Sequence, residues 1–464
     1  MNMSSYIKTM TRDTPGGRRP KGQEPLTYLG KGEKGPAAAR KAGGHAPGIS
    51  GKTARRCRVR RDGSVVIPSG VAKRLGLVPG STADLRIERG RLEIAPDIHT
   101  LSRIYVEPTS RCGLSCRTCL RTTWNEPTGD LEPAIFNRLA SQFPRFPSLE
   151  SVMFGGIGEP TLHPGIFSMV RKVKGLGLRA EMVTNGTRMD GAWIDELISS
   201  GLDTLWVSLD GATEKSYEDI RQGAGFAGIM ENLERLRRLN ARAPRPVEVG
   251  IAFVLLRRNL ADLKDLDKLA RTVGARRVSV SHVLPYSAAM EKEMLCLQTL
   301  TLDTFTAARG KTELNLPRLD VNNTTKDVLF SLLQGFENLS FMGNPLSVAA
   351  RRCRFIHDRS TFIRWDGQVA PCAGLLHTHR TYLYGLERTV SAYALGDVAA
   401  GELYDIWNSA AYAGFREKVR DFDFSPCHVC GGCSMLEKNA EDCYGNTFPV
   451  CGGCLWAQGI IQCP

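Results

Sequence analysis

The chain has 464 residues, of which 42% are hydrophobic, with 14 cysteines and a formal net charge of +13. Its sequence shows neither an apolar run of membrane-spanning length nor a recognisable secretion or targeting signal. These features argue against a membrane protein and against a secreted disulfide scaffold. We therefore expect a cytoplasmic protein in which clustered cysteines bind metal.

The positive charge is concentrated at the N-terminal end of the chain. Residues 1–61 contain 15 Lys and Arg against three acidic residues, so the remaining residues carry a net charge of only +1. Residues 1–55 are rich in Gly, Pro, Ala and Lys and lack aliphatic periodicity, which predicts a disordered basic tail. Such a tail can bind nucleic acid weakly and nonspecifically, but a solvated extension is the simpler interpretation.

Residues 56–97 alternate short strand signals with turns around one short helix, which predicts a ββαββ hairpin module. The segment resembles the swapped-hairpin AbrB-type domain. So short a unit can hardly bury a core alone, and the resemblance implies that two chains intertwine through residues 57–96 as a homodimer. We prefer dimerisation or protein docking as the role of this module. The alternative is DNA binding by Arg58, Arg60, Arg61 and Arg74.

A cysteine triplet follows the strand-like segment 104–107, in the spacing Cys-x3-Cys-x2-Cys: Cys112, Cys116 and Cys119. Three such thiolates can hold three irons of a [4Fe–4S] cluster, and because no fourth cysteine is near, one iron keeps an open position. Radical chemistry with S-adenosylmethionine (SAM) needs an open iron, which the amino and carboxylate groups of SAM chelate. A structural zinc site is the alternative, but zinc prefers four protein ligands in paired knuckles.

A glycine-rich turn follows the next apolar strand, with the sequence Gly155-Gly156-Ile157-Gly158-Glu159-Pro160. Glycines at a strand end let the backbone approach a ligand and present free N–H groups, and Glu159 can accept a hydrogen bond from an ammonium group. A turn of this kind after a cysteine triplet resembles the radical SAM superfamily, over roughly residues 101–290. The resemblance implies that the open iron and this turn together hold the methionine end of SAM.

Strand-like and helix-like segments alternate through the predicted core domain, residues 101–310. Apolar runs are separated by helix-length stretches, with strands expected at 151–154, 179–183, 204–209, 247–255 and 276–284 and helices at 164–176, 190–200, 226–240 and 260–273. Repeated βα units predict an α/β fold with a parallel sheet and with ligands at the carboxyl ends of its strands. Around six strands indicate an open, partial (β/α)6 barrel with a side entrance for a large substrate.

Short polar turns follow several of these strands, and each alone reads as an ordinary βα turn. The resemblance to radical SAM enzymes implies that Ser208 and Arg221 meet the carboxylate or ribose of SAM. Asn185, at the end of a neighbouring strand, completes the candidate SAM-binding residues. No residue is assigned to hydrogen abstraction.

The C-terminal region, residues 345–464, has more cysteines than an apolar core needs: Cys353, Cys372, Cys427, Cys430, Cys433, Cys443, Cys451, Cys454 and Cys463. Cytosolic Cys-x2-Cys pairs are metal sites by default, and zinc is the alternative to an iron–sulfur cluster. In order and position, the region resembles the SPASM-type extension of radical SAM maturases, which carries two auxiliary [4Fe–4S] clusters.

The opening Cys-x13-Gly-x4-Cys segment, with Gly367 at its centre, matches the SPASM pattern, but Cys433 follows Cys430 too soon for it. Two clusters need at most eight cysteines, so either one of the nine is spare or one cluster is held differently. The sequence does not assign a cysteine to an individual cluster. Cys57 and Cys296 stand alone and are expected to be ordinary thiols.

The final segment, residues 441–464, resembles radical SAM proteins that accompany tungsten-containing aldehyde ferredoxin oxidoreductases. This resemblance implies a maturase of a tungsten oxidoreductase or its cofactor, with reduced ferredoxin or flavodoxin as electron donor. Two alternatives stay open. One is a maturase that crosslinks a ribosomally made peptide, and the other, of a different class, is an iron–sulfur DNA-binding redox regulator. A redox sensor does not need an open iron or a glycine-rich SAM turn, so the motifs favour an enzyme.

Overall fold

The computed structural model describes the chain in two compact units, residues 1–66 and 67–464. The described residues are 60–62, 64–77, 80, 82–88, 91–124, 126–297, 313–316, 322–328, 338–341, 344–345, 353–425, 427 and 433–464. The predicted tail (residues 1–55), Cys57 and Arg58 therefore lie outside the described residues. The division between the two units falls inside the predicted module, residues 56–97.

The N-terminal part of the larger unit contains a short helix and one antiparallel hairpin. The helix is Ser69–Arg74, and the hairpin pairs β1 (Ala83–Glu88) with β2 (Arg91–Pro96). Leu85 and Leu92 on this hairpin are 64% and 54% exposed. The helix and the second predicted hairpin are thus present, and the hairpin leaves apolar side chains uncovered.

Six parallel strands form the centre of the molecule and pair with one another in chain order. They are β3 (Arg103–Val106), β4 (Ser151–Phe154), β5 (Arg179–Thr184), β6 (Thr204–Ser208), β7 (Glu248–Leu255) and β8 (Arg277–His282). β4 and β6 are buried along their whole length, as expected of strands covered on both faces. The predicted partial barrel of six strands is confirmed.

Helices connect these strands, as the predicted βα units require: Pro133–Ser141, Ile166–Gly175, Gly191–Ser199, Glu214–Ile220, Phe226–Asn240 and Leu266–Val273. The short helix Ala288–Glu291 follows β8. The helices Pro133–Ser141, Glu214–Ile220 and Ala288–Glu291 were not predicted. The helix expected at 260–273 begins as the 3₁₀ segment Arg257–Asp265 and becomes α-helical at Leu266. Among the described residues, no helix is both long and apolar enough to cross a membrane.

The central sheet continues into the C-terminal region, which the sequence did not predict. β12 (Ser360–Ile363) pairs in parallel with β3, and β13 (Gln368–Ala370) and β16 (Gly396–Asp397) extend the sheet to nine strands. The remaining strands are β9 (Glu313–Leu316), β10 (Asn338–Phe341), β11 (Asn344–Pro345) and the hairpin β14 (His379–Leu383) with β15 (Leu386–Val390). The helices of this region are Arg354–His357, Leu403–Asn408 and Ala410–Asp421.

One hydrophobic core runs beneath both predicted domains. Across the β3–β12 junction, the rings of Tyr105 and Phe362 stack with centroids 4.2 Å apart. Trp407 is almost fully buried, and its indole Nε1 donates a hydrogen bond to the carbonyl oxygen of His99 at 2.7 Å. Aromatic pairs and a shared sheet therefore fix the C-terminal region against the edge of the barrel at β3.

Candidate active site

A cavity of about 230 Å³ lies at the carboxyl ends of the barrel strands. Its lining includes every candidate residue predicted for the first cluster and for SAM: Cys112, Cys116, Cys119, Gly155, Gly156, Gly158, Glu159, Asn185, Ser208 and Arg221. These residues follow four different strands, and the parallel sheet brings the ends of its strands to one edge. The structure thus joins motifs that are far apart in the sequence.

Two backbone hydrogen bonds connect the cysteine loop to the end of the helix Glu214–Ile220 and to the residue after Arg221. The backbone N–H of Arg117 donates to the carbonyl oxygen of Ile220 at 2.9 Å, and that of Ser115 donates to Gln222 at 3.1 Å. Burial raises the pKa of both Cys116 and Cys119. These thiols therefore hold their protons more firmly than exposed ones, and a metal must displace those protons when it binds.

The donor set fits a cluster better than a single ion. The cavity is lined by three cysteines and, within the described part of the chain, by no fourth. A [4Fe–4S] cube takes one thiolate at each liganded iron, so three thiolates without a fourth leave one iron open. The loop therefore suits a cluster with one iron left open.

Two glycines of the turn, Gly156 and Gly158, are required by the protein's own packing. A Cβ on Gly158 would overlap the carbonyl oxygen of Thr109, and a Cβ on Gly156 would lie 2.6 Å from the side chain of Glu107. Gly155, by contrast, has room for a Cβ at ordinary contact distance. The turn thus packs against the segment that leads into the cysteine loop. Sequence reasoning attributed the glycines only to the approach of a ligand.

Glu159 ties the glycine-rich turn to the end of β5. Its buried carboxylate accepts hydrogen bonds from the hydroxyl of Thr184 and the backbone N–H of Asn185, both at 2.7 Å, and from the backbone N–H of Thr161 at 3.2 Å. Burial raises the pKa of Glu159 in spite of these donors. Sequence reasoning expected a free acceptor for an ammonium group and missed Thr184, since a threonine at a strand end carries no distinctive signal.

Arg221 lies against the cysteine loop, with its Nη1 3.9 Å from the sulfur of Cys116. Its Nε donates to the fully buried carboxylate of Asp210 at 2.6 Å. Burial alone would lower the pKa of Arg221, but the charge and hydrogen bond of Asp210, together with the neighbouring Cys116 and Tyr217, raise it overall. The amide of Asn259 donates to the main-chain oxygen of Asp210 at 2.8 Å and helps to hold this pair. Arg221 is therefore a fixed positive charge beside the thiols.

A buried chain of charged groups connects the glycine-rich turn with the C-terminal region. Glu107 accepts from the backbone N–H of Ile157 at 2.8 Å, and its other oxygen lies 2.9 Å from His377 Nε2. His377 Nδ1 lies 2.6 Å from a carboxylate oxygen of Glu126. Burial would lower the pKa of His377, but hydrogen bonds to the two carboxylates raise it. The sequence carried no signal for these connected groups, because Glu107, Glu126 and His377 are far apart along the chain.

Four of the C-terminal cysteines surround a second cavity of about 50 Å³, and we call them the inner cysteine group: Cys353, Cys372, Cys451 and Cys454. Burial raises the pKa of all four, and that of Cys353 reaches about 12. The thiol of Cys372 is close enough to the other three for each to raise its pKa further. The sequence predicted these cysteines but did not group them.

Cys427 and Cys443 form a second neighbourhood, in which both thiols are hydrogen-bonded to the hydroxyl of Ser425. Cys433 is exposed, and Cys430 lies outside the described residues. Cys463 does not line the inner cavity, and burial raises the pKa of its thiol. Cys296 is a buried thiol whose pKa burial raises to about 11.

Comparison with known families matches the cysteine triplet and the first part of the C-terminal cysteine region. The model of the radical SAM superfamily matches residues 106–270, which carry the cysteine triplet and the glycine-rich turn. The SPASM iron–sulfur cluster-binding domain matches residues 353–434. The chain contains a radical SAM domain followed by a SPASM domain. It is therefore an enzyme that binds a [4Fe–4S] cluster and SAM, and its SPASM domain indicates additional iron–sulfur clusters.

Two characterised relatives match most of this radical SAM chain. The tungsten-containing aldehyde ferredoxin oxidoreductase cofactor-modifying protein of Pyrococcus furiosus is 28% identical over 78% of this chain and 96% of its own length. The PqqA peptide cyclase of Gluconobacter oxydans is 29% identical over 75% of this chain and 89% of its own. Among solved structures, Streptococcus suis SuiB bound to S-adenosylmethionine is 17% identical, with a TM-score of 0.47 over 73% of this chain and 72% of SuiB.

Proposed function

We propose that this protein is a radical SAM maturase that acts on a tungsten-containing oxidoreductase or on its cofactor. The observation that carries the proposal is the convergence of the cysteine triplet, the glycine-rich turn, Asn185, Ser208 and Arg221 on one cavity. The tungsten assignment is supported by the Pyrococcus relative, because the similarity extends over 96% of that protein and so includes both domains.

In this proposal, Cys112, Cys116 and Cys119 hold three irons, and the fourth iron is left for SAM. When bound, the cluster would pass one electron from the reduced ferredoxin or flavodoxin to the sulfonium of SAM, which would give methionine and a 5′-deoxyadenosyl radical. The glycine-rich turn offers its backbone to the methionine end of SAM. Glu159 holds this turn in place through hydrogen bonds to Thr184 and Asn185 at the end of β5. Ser208 and Arg221 face the same cavity and offer a hydroxyl and a positive charge to the carboxylate or ribose.

We assign the inner cysteine group to one auxiliary cluster, because its four thiols surround one cavity. The second cluster is then held by Cys427, Cys430, Cys433 and Cys443. Cys463 is the spare ninth cysteine in this proposal, since it does not line the inner cavity. These auxiliary clusters offer a route for electrons from reduced ferredoxin or flavodoxin.

The N-terminal module serves as a dimerisation or docking piece in this proposal, in a cytoplasmic protein. The exposed Leu85 and Leu92 of its hairpin support a partner surface. A chain that starts at Asp97 should keep its iron and its SAM cleavage but elute later from gel filtration. Tight, sequence-selective DNA binding by the full chain at physiological salt would instead favour the regulator, because binding through a basic tail weakens steeply with salt.

The proposed function is tested by supplying the reduced enzyme and SAM with a tungsten-free or immature tungsten oxidoreductase. We expect oxidoreductase activity to appear only with the complete enzyme, together with 5′-deoxyadenosine above the substrate-free level. The Cys116→Ala variant, purified and added in the same amount, is the matched control.

The second candidate is a maturase that crosslinks a ribosomally made peptide. It is supported by the PqqA peptide cyclase, which matches 75% of this chain. The test uses a peptide encoded beside this gene. A loss of mass equal to hydrogen atoms in that peptide after the reaction, with no activation of the oxidoreductase, would favour this candidate over the first.

A further inference from the structure

Arg388 lies between the two groups of C-terminal cysteines. It is on β15, opposite Thr381 of β14, and the residue is only 8% exposed. It lines the cavity of the inner cysteine group, and it also lines the neighbouring cavity of about 20 Å³ that contains Cys427. One guanidinium therefore faces cysteines of both proposed auxiliary clusters.

The charge of Arg388 has no acidic partner among the described residues. Its Nε is buried without a hydrogen-bond partner there, and the ionisable groups that act on it are the thiols of Cys427, Cys451 and Cys454. Arg221 differs in this respect, because its charge beside the SAM-site thiols is balanced by Asp210. A buried cation with no counter-ion is unfavourable. The burial of Arg388 therefore indicates a site built for negative charge, which free thiols do not supply but thiolates would.

The backbone between two ligands of the inner group makes room for this guanidinium. A Cβ on Gly453, which lies between Cys451 and Cys454, would overlap the Nη1 atom of Arg388. Only glycine fits there while Arg388 keeps its position. The cysteine pair and the arginine are thus packed as one unit, independently of any argument about charge.

We propose that Arg388 is a shared counter-charge that raises the reduction potential of both auxiliary clusters. The inference rests on the cluster assignment made above. A cluster held by four thiolates is negatively charged and gains one further negative charge on reduction. A fixed positive charge nearby therefore stabilises the reduced form more than the oxidised form, and burial limits screening by salt. Arg388 is therefore a positioning residue, because its fixed charge changes the reduction potential of the two clusters.

The test is a redox titration of the reconstituted full chain, followed by electron paramagnetic resonance. Arg388→Gln should make both auxiliary clusters harder to reduce, by about tenfold in the reduction equilibrium, which is 59 mV for one electron. Arg388→Lys, which keeps the charge, should stay near wild type, and the SAM-binding cluster should not shift. Arg380→Gln is the matched control, because it removes an exposed charge, paired with Glu387, from the same hairpin.

Unchanged auxiliary potentials in Arg388→Gln, with full iron content, would overturn the inference, and so would a shift confined to one cluster. If Arg388→Gln loses iron, Gly453→Ala gives a second test, because its methyl group must displace the guanidinium while the charge is kept. The potentials should then fall, and unchanged potentials with intact clusters again overturn the idea. A wild-type chain that lacks auxiliary iron would instead refute the cluster assignment, so the two failures are distinguishable.

Discussion

The two cysteine regions of this protein are assembled in opposite ways. The radical SAM loop draws Cys112, Cys116 and Cys119 from one turn after β3, whereas the inner group collects Cys353 and Cys372 from one segment and Cys451 and Cys454 from another. The charges differ too, since Arg221 is paired with Asp210, whereas within the described part of the chain Arg388 has thiols and no carboxylate beside it. A local ligand set can be recognised from spacing alone, but a distributed one depends on the packing of the whole domain.

The largest effect is expected at the radical SAM loop, whose cysteines are close together in the sequence. Cys116→Ala should abolish formation of 5′-deoxyadenosine and methionine from SAM with dithionite, because losing one thiolate destroys the open-iron site. The triple replacement of Cys112, Cys116 and Cys119 by Ala should lower iron from about 12 to about 8 per chain and leave a folded protein. Cys296→Ala, at a buried thiol outside both regions, is the control. SAM cleavage that survives Cys116→Ala would place the reaction elsewhere.

The distributed set is tested by comparing two cysteines of the C-terminal region. Cys372→Ala should remove about four irons from the reconstituted chain, because its thiol faces the other three of the inner group. Cys463→Ala should remove none, since Cys463 does not line that cavity. Iron and zinc analysis of both variants decides the matter. Stoichiometric zinc with little iron in the wild type, or equal iron loss in both variants, contradicts the assignment.

A smaller effect is expected at the support of the SAM turn. Glu159→Ala removes the acceptor for Thr184 and for the backbone of Asn185 and should weaken SAM binding by about 1–3 kcal/mol while the cluster persists. Isothermal titration with SAM measures the change, and visible absorbance near the cluster band reports the iron. Thr184→Val, which removes one of these donors, should weaken binding less. Equal affinity in wild type and Glu159→Ala would show that the carboxylate is dispensable.

The smallest effect is a pH dependence at His377, which joins the two regions. Because its folded pKa is raised above the ordinary value of 6.5, its contribution to stability is complete below that value. The contribution is then lost as pH rises through the folded pKa. Urea unfolding of wild type and His377→Gln should therefore differ most at acidic pH and converge as the solution becomes alkaline.

His282 provides the contrast for this measurement. Burial lowers its pKa, so the folded state disfavours its protonation. His282→Gln should therefore not lose stability preferentially at acidic pH. A difference between wild type and His377→Gln that grows as the pH rises would refute the role given to the imidazolium.

Much of the barrel was readable from the sequence, because buried parallel strands are continuous apolar runs between amphipathic helices. Runs such as 204–209 marked β6 within one residue. The helices Pro133–Ser141 and Glu214–Ile220 were missed. Glu107, Thr184 and His377 were missed for another reason: each is unremarkable in sequence and acquires its role only through partners at distant positions.

By itself, the sequence determined the radical SAM loop, the glycine-rich turn and the order of βα units, because each depends on residues close together in the chain. Tertiary structure alone decided which cysteines meet, how β12 extends the barrel sheet beside β3, and that Arg388 lies between two cysteine groups. The physical reason is that contacts between distant segments depend on how the intervening chain packs. Spacing along the sequence does not encode that packing locally.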